Sequence, residues 1–398
     1  MKKTNFSIAL FFLGSILHAQ SWVKVADFPA DARDDGACFT IKNTAYCGGG
    51  VKPIEYLRDY YAFDLLSESW SQIASMPPGQ ERQYASAFSS DSLGYIFGGY
   101  ASVFLNDLWQ YDPQTDSWTQ KTTLPSTPRS GAASFVIDSI AYILGGKNQN
   151  NQALDEVWAY DMSQDSWQQK QNLPFGPRWR SGACAMNGKG YLAFGLDDTL
   201  LYTNGIYEYD PQADSWAILA THPQGGRNYP KLYGVGNKLY SVGGNDSSLN
   251  FLNEVWEYDL SSQKWQSLPA IPGEGRRGGM SFQSATALYY TTGLADSSER
   301  LVETLKLVDP TYLSENEKQK GFSLYPNPVQ EYFQLDLSML DLKEGNLRVY
   351  SADGSLQLEQ QILSKEEARI NCQTWPKGIY LVQLKSGDLF ISKKLIKL

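Results

Sequence analysis

An arginine recurs about every 50 residues through most of this chain: Arg33, Arg82, Arg129, Arg180, Arg227 and Arg277, with Arg276 as the alternative in the last position. A guanidinium is a planar fork of donors that stays charged at any ordinary pH. Its chemistry is bidentate capture of a carboxylate or another oxyanion. Three aromatics flank the series, Tyr84, Trp179 and Tyr229, and a flat ring beside a guanidinium suits a sugar that bears an acid group. Two structural alternatives stand beside this reading. A residue that recurs in every repeat is what stacking itself demands, each arginine then pairing with a nearby carboxylate or carbonyl, and the aromatics then pack the rim.

Other chemistries have little material. The chain has four Cys (Cys38, Cys47, Cys184 and Cys372) and two His (His18 and His222). No spacing resembles a metal site, so no metal and no cofactor are expected. No nucleophile motif or phosphate loop occurs. Cys38 and Cys47 sit on either side of a two-residue turn at Lys42-Asn43, in a register that sets them opposite each other. That is compatible with a disulfide in an exported protein. Two reduced, buried thiols are the alternative, and one slip of register separates the pair.

The bulk properties narrow the setting. Across 398 residues 42% are hydrophobic, 13% aromatic and 19% charged, which suits an all-β protein with aromatic packing. The formal net charge is −9, so binding to nucleic acid or an anionic membrane through a basic surface is not expected. Residues 1–19 read as a signal peptide: Lys2 and Lys3, an apolar stretch from Phe6 to Leu17, and Ala19 before the cut. No later segment is long and apolar enough to span a bilayer.

The elements that must position the arginines come from three further series. Trp22, Trp70, Trp118, Trp167, Trp216 and Trp265 mark one period. Tyr46, Tyr95, Tyr142, Tyr191, Tyr240 and Tyr289 mark another, each followed four residues on by a glycine. Asp64, Asp112, Asp161, Asp210, Asp259 and Asp309 mark the third. Between them lie short apolar runs separated by Gly, Asn, Asp and Ser, which predict four strands per unit. The aromatics should pack between neighbouring units, and each aspartate should accept backbone N–H groups in a turn.

A Gly-Gly pair, then Asn-Asp-Leu-Trp-Gln-Tyr-Asp (106–112), then Asp-Ser-Trp (116–118) resembles the kelch repeat. The likeness covers roughly residues 21–310 and implies a six-bladed β-propeller over residues 20–312. The last unit stops without its Trp strand, while Ser21-Trp-Val-Lys-Val-Ala-Asp-Phe-Pro29 matches Ser117 to Pro125. The N-terminal strand should therefore close the ring.

Residues 313–321 are a polar linker. Beyond them Phe322-Ser-Leu-Tyr-Pro-Asn-Pro-Val329, Gly378-Ile-Tyr380 and the basic tail Lys393-Lys-Leu-Ile-Lys-Leu398 resemble the C-terminal sorting domain of the Bacteroidetes type IX secretion system. The alternative is an ordinary Ig-like accessory module. Residues 322–398 should form a small C-terminal β-sandwich, and the resemblance implies the type IX machinery as partner and a secreted or cell-surface location.

Three functional readings follow. The first is a surface-exposed kelch-repeat binding protein, with a glycan or protein ligand on the arginine-bearing face and its specificity in the variable loops there. The second follows from a resemblance to the six-bladed kelch mutarotases of sialic acid. It implies a cofactor-free sugar-acid mutarotase or epimerase, with Glu81, His222 or Glu274 as candidate acid or base. The third is a structural surface protein without a small ligand. Copper oxidases with kelch propellers need two histidines at the metal, and only His222 would remain after leader removal.

Overall fold

The computed structural model describes residues 21–284, 287–308, 322–337, 345–351, 355–362, 368–386 and 389–398. The expected leader, the linker and Asp309 lie outside them. The chain divides into two compact units, 1–308 and 309–398.

The first unit is built from six four-stranded antiparallel sheets. Sheets 1 to 5 run consecutively in the chain, and their innermost strands are Ala37–Ile41, Ser86–Ser89, Ala133–Ile137, Gly182–Met186 and Lys231–Val235. The sixth combines Met280–Gln283, Ala287–Thr291 and Thr304–Val308 with Ser21–Lys24 as its outer strand. Trp22 lies opposite Leu307 in that pairing.

The recurring residues explain why each unit folds alike. The Asp64 carboxylate accepts the N–H groups of Leu66 and Ser67, and Asp161 and Asp259 repeat the arrangement in later sheets. Four fourth-strand Trp indoles reach back to the chain leaving the preceding sheet: Trp70 Nε1 donates to the Ala26 carbonyl, Trp118 to Ala74, Trp167 to Thr122 and Trp265 to Thr221, whereas the buried Trp216 Nε1 has no hydrogen-bond partner. Trp22 does the same toward Pro269, so the N-terminal strand makes the contact that four of the five other fourth strands make. Apolar clusters lie between successive sheets. Phe39, Tyr46 and Tyr111 join sheets 1 and 2, and Ala45, Phe63, Phe282 and Tyr289 join sheets 1 and 6. Cys38 and Cys47 face each other across the first strand pair, their Cα atoms 4.3 Å apart, and are joined as a disulfide.

The second unit has a three-stranded and a four-stranded antiparallel sheet. They share one apolar core that includes Phe322, Val329, Phe333, Val349, Tyr380, Val382 and Leu395.

Candidate functional site

The inner strand of each sheet is entered through a short segment that begins with a buried arginine. In five sheets that arginine is neutralised at once. Arg33 grips Asp59 at 2.7 and 2.9 Å, and Arg82 grips Asp107 at 2.8 and 2.9 Å. Arg129 meets Glu156 at 2.5 Å, Arg227 meets Glu254 at 2.6 Å and Arg276 meets Glu303 at 3.0 Å. The first three also donate to the carbonyls of Gly49, Gly98 and Gly145, tying down the Gly-Gly turn at the end of the second strand. In sheet 4 the equivalent residue is Arg178, which donates to the Phe175 carbonyl and lies over Phe175 and Tyr207.

These arginines are girders. Arg33, Arg82, Arg129 and Arg227 do not converge on the mouth of the channel, because each is buried and committed to its own sheet. Arg180 and Arg277 differ. They stand two residues and one residue after the structural position and escape its ion pair.

The residue two places after each structural arginine forms a hub: Asp35, Tyr84, Gly131, Arg180, Tyr229 and Gly278. All six have left-handed backbones, with φ between 56° and 67°. That conformation is uncommon for Tyr or Arg, and its recurrence here places strain at a site of interest. It turns five of the six N–H groups onto a hub carbonyl of the neighbouring sheet. Tyr84 donates to Asp35, Gly131 to Tyr84, Arg180 to Gly131 and Tyr229 to Arg180, while Asp35 donates to Gly278 at 2.6 Å.

The two glycines make room for their neighbours. A Cβ on Gly278 would meet Asp35 Oδ1 at 2.6 Å, and one on Gly131 would meet Arg180 Cγ at 3.2 Å. The hub thus encloses a cavity of about 100 Å³ lined by Asp35, Tyr84, Arg180, Ser181, Tyr229 and Lys231 among others.

Arg180 is packed among aromatic rings. Its guanidinium carbon lies 3.9 Å from the Trp179 ring centre, 4.1 Å from Tyr229 and 4.5 Å from Tyr84. Its buried Nε has no hydrogen-bond partner. Arg277 lies over Tyr229 and Phe251, 3.7 and 3.8 Å from the carboxylates of Asp34 and Asp35. Asp34 is also held by Arg300 at 2.6 Å. The Tyr229 hydroxyl reaches that of Tyr84 at 3.3 Å, bridging the cavity.

Burial, then the negative charge of Asp34, push the Asp35 carboxyl up to about 7, against the pull of Arg180 and Arg277. Burial likewise pushes the Tyr84 phenol up to about 12. The cavity therefore offers an unsatisfied guanidinium, aromatic walls, and a carboxyl that exchanges its proton near neutrality. That set can hold a small oxyanion and move a proton.

The candidate acid and base groups from sequence lie elsewhere. His222 packs against Phe194, Trp256 and Trp265, and burial holds its imidazole down at about 3. Glu81 pairs with Arg58 at 3.3 Å, and Glu274 accepts the Ser297 N–H. None of the three lines the cavity. Asp35 and Lys231 do, and neither stood out in the sequence. The even series Arg33, Arg82, Arg129, Arg178, Arg227 and Arg276 was the signal that would have separated girders from hub.

Around the mouth, the loops between second and third strands are braced. Asp197 and Asp246 cap their own loops, the Ala153 N–H donates to Asp198, and Asn245 donates to the Tyr202 hydroxyl at 2.9 Å. The tips carry exposed aliphatic side chains at Ile54, Val103, Leu200, Leu201 and Leu249.

Comparison with known proteins agrees with this architecture. A family described as the KLHDC2/KLHL20/DRC7 Kelch-repeats domain matches residues 16–146 and 121–293. A secretion system C-terminal sorting domain matches residues 323–398. N-acetylneuraminate epimerase of Shigella sonnei (strain Ss046) is 34% identical over 115 residues, and that of Escherichia coli (strain K12) is 33% identical over 115 residues. Each match covers 27% of this chain and 30% of the relative, so the chain aligns with under a third of these proteins. The structure of YjhT superposes with a TM-score of 0.63 at 18% identity, over 70% of this chain and 95% of that one. That likeness shows a shared kelch-type propeller fold.

Proposed function

This chain belongs to the kelch-repeat family and carries a type IX secretion C-terminal sorting domain, and from that premise we propose that its exported propeller binds a carboxylate-bearing ligand, glycan or protein, at the hub. The observation that carries this reading is Arg180: a guanidinium between three aromatic rings, facing a cavity, with a buried N–H unsatisfied and no carboxylate in ion-pair reach among the described residues. Tyr84, Trp179 and Tyr229 supply the apolar walls, Arg277 a second positive charge, and the braced loops the outer contacts.

The six sheets are read as six blades of a ring closed by Ser21–Lys24. The hydrogen bonds that pass from hub residue to hub residue support this, as does the indole contact that Trp22 shares with Trp70, Trp118, Trp167 and Trp265. The segments are read as a leader over 1–19, the propeller over 20–312, a linker over 313–321 and the sorting domain over 322–398. The mature protein is either attached to the outer surface or released.

Titration calorimetry with the mature chain tests the binding reading. Sugar acids should bind, and their neutral alcohol counterparts should not. Arg180→Ala should weaken binding about 10- to 100-fold, the value of a charge-assisted bidentate contact. Equal binding of acid and alcohol, or full affinity in Arg180→Ala, overturns it.

A second reading is favoured by Asp35 and by the names of the relatives. A carboxyl that exchanges its proton near pH 7, beside two tyrosine hydroxyls, could take the proton from an anomeric hydroxyl while a phenol protonates the ring oxygen. The ring then opens, and closing it on the other carbonyl face returns both protons. NMR exchange spectroscopy on N-acetylneuraminate decides this. Acceleration that disappears in Asp35→Asn supports a mutarotase, and binding without acceleration leaves a binding protein. A structural surface role predicts neither.

A further inference from the structure

Sheet 4 keeps the girder arginine but has lost the girder acid. In each sheet the acid stands at one backbone position. The carbonyls of Asp59, Glu156, Glu254 and Glu303 accept the N–H groups of Gly49, Gly145, Gly243 and Thr292 at the end of the second strand. In sheet 4 the same bond runs from the Phe194 N–H to the carbonyl of Gly205. Gly205 therefore occupies the place of the acid, and it brings no side chain.

Arg178 is left buried without a counter-charge. Its one hydrogen bond among the described residues goes to the Phe175 carbonyl, and its buried Nε and Nη1 have no partner. Arg227 and Arg276 leave the same two nitrogens unpaired, but each of them holds a glutamate. The Asp197 carboxylate attracts Arg178 only from beyond ion-pair range, and it is spent on the N–H groups of Thr199 and Leu201. Phe175 and Tyr207 lie 4.9 and 5.5 Å from the guanidinium carbon. Their faces attract the charge but do not satisfy the in-plane N–H donors. A buried guanidinium in this state favours any acceptor that reaches it.

The vacated place can be reached. The five acids that fill it in other sheets have side chains 16% to 41% exposed, so the position borders solvent. Phe175 and Tyr207 are half-buried there and stack with centroids 3.4 Å apart. A Cβ on Gly205 would meet the Tyr207 hydroxyl at 2.5 Å, so a side-chain tip with its own donor stands where the acid would run. In three other sheets an aromatic two residues after the acid donates to it: Trp109 to Asp107, Trp158 to Glu156 and Trp256 to Glu254. Tyr207 holds that position in sheet 4. The strand pairing shifts register between Ile206 and Tyr207, a device that re-aims side chains next to sites.

We propose that the acid missing at Gly205 is supplied from outside, so that Arg178 and the Tyr207 hydroxyl bind the carboxylate of a small organic acid on the Phe175–Tyr207 pair. Arg178, Phe175 and Tyr207 are not among the residues that line the hub cavity, and the proposal does not depend on what the hub binds.

The test uses the mature chain carrying Arg180→Ala, which removes the hub guanidinium, with acetate as probe. Acetate at ten times its dissociation constant should raise the melting temperature by about 3 °C. Acetamide, or chloride at equal ionic strength, should not. Gly205→Glu returns the built-in acid. The Gly205 backbone is not left-handed, and the added Cβ meets only the movable end of Tyr207. This variant should melt higher without acetate and lose the acetate response at least tenfold. Arg178→Gln, which keeps a donor for the Phe175 carbonyl, should lose the response as well. Crystals grown in acetate should place a carboxylate within hydrogen-bond reach of Arg178. No thermal response to acetate overturns the proposal and leaves the hub reading untouched. An equal response to acetamide overturns it, as does a response that survives in either Gly205→Glu or Arg178→Gln. Density for acetate without a thermal response means an adventitious additive only and overturns it too.

Discussion

Replacing Arg82 by alanine removes five contacts at once: two hydrogen bonds to the Asp107 carboxylate, one each to the Gly98 and Gln80 carbonyls, and one to the Gln80 side-chain oxygen. Asp107 is left largely buried without its counter-charge. Breaking a buried pair from one side costs about 3–5 kcal/mol. For a domain of this size each kcal/mol lowers the melting temperature by roughly 2 °C, so Arg82→Ala should melt about 6–10 °C early. Arg180→Ala removes no ion pair. It forfeits contact with three aromatic rings, on the order of 1–2 kcal/mol, and relieves a left-handed side chain only in part. Its melting point should shift by no more than about 4 °C. Ligand affinity should reverse the order, with Arg82→Ala within about twofold of wild type at 20 °C and Arg180→Ala down at least about tenfold. Scanning calorimetry and titration calorimetry on the two variants read these out together. If Arg82→Ala melts normally and loses the ligand while Arg180→Ala keeps it, the division into girders and hub is wrong.

The carboxyl of Asp35 makes stability pH-dependent in an unusual direction. Its folded value of about 7 lies above the ordinary 3.8, so the native state holds this proton more tightly. Stability from this group is fully present below about pH 4 and is lost as pH rises toward 7, by a few kcal/mol at most. Urea titrations between pH 4 and 8 should show that fall in wild type and a flatter profile in Asp35→Asn. His222→Phe should keep ligand affinity and any anomer exchange, because the imidazole stays neutral and packed away from the cavity; a large loss of exchange would return it to the site. Reducing the Cys38–Cys47 disulfide closes no long loop, so dithiothreitol should destabilise the propeller by about 2–3 kcal/mol without unfolding it, read as a drop in melting temperature.

The repeat was legible because packing imposes it. Trp indoles and turn aspartates perform one task in sheet after sheet, and a task repeated at a fixed interval leaves a period in the chain. The spare Trp22 segment was legible for the same reason. The hub was harder to see because it is where the repeat is broken. Asp35, Tyr84, Gly131, Arg180, Tyr229 and Gly278 share a backbone conformation but no side-chain chemistry, so no residue type marks the position. Arg180 and Arg277 entered the sequence series by lying close to Arg178 and Arg276, and strict spacing would have told them apart. Lys231, which lines the hub cavity, appears in the sequence only as a lysine at the head of an ordinary strand.

The pairing of Ser21–Lys24 with Leu305–Val308 also sets an order of events. Ser21–Lys24 has no partner until nearly the whole of the first unit has been made. A polypeptide that stops short leaves that strand dangling and leaves the sixth sheet with a bare edge, the kind of surface that pairs with other chains. Joining the two ends late adds little entropic cost, since closure entropy grows only with the logarithm of loop length. The arrangement therefore works as a completeness check: the first unit's two end strands certify each other, and a truncated copy reveals itself by an unfinished margin.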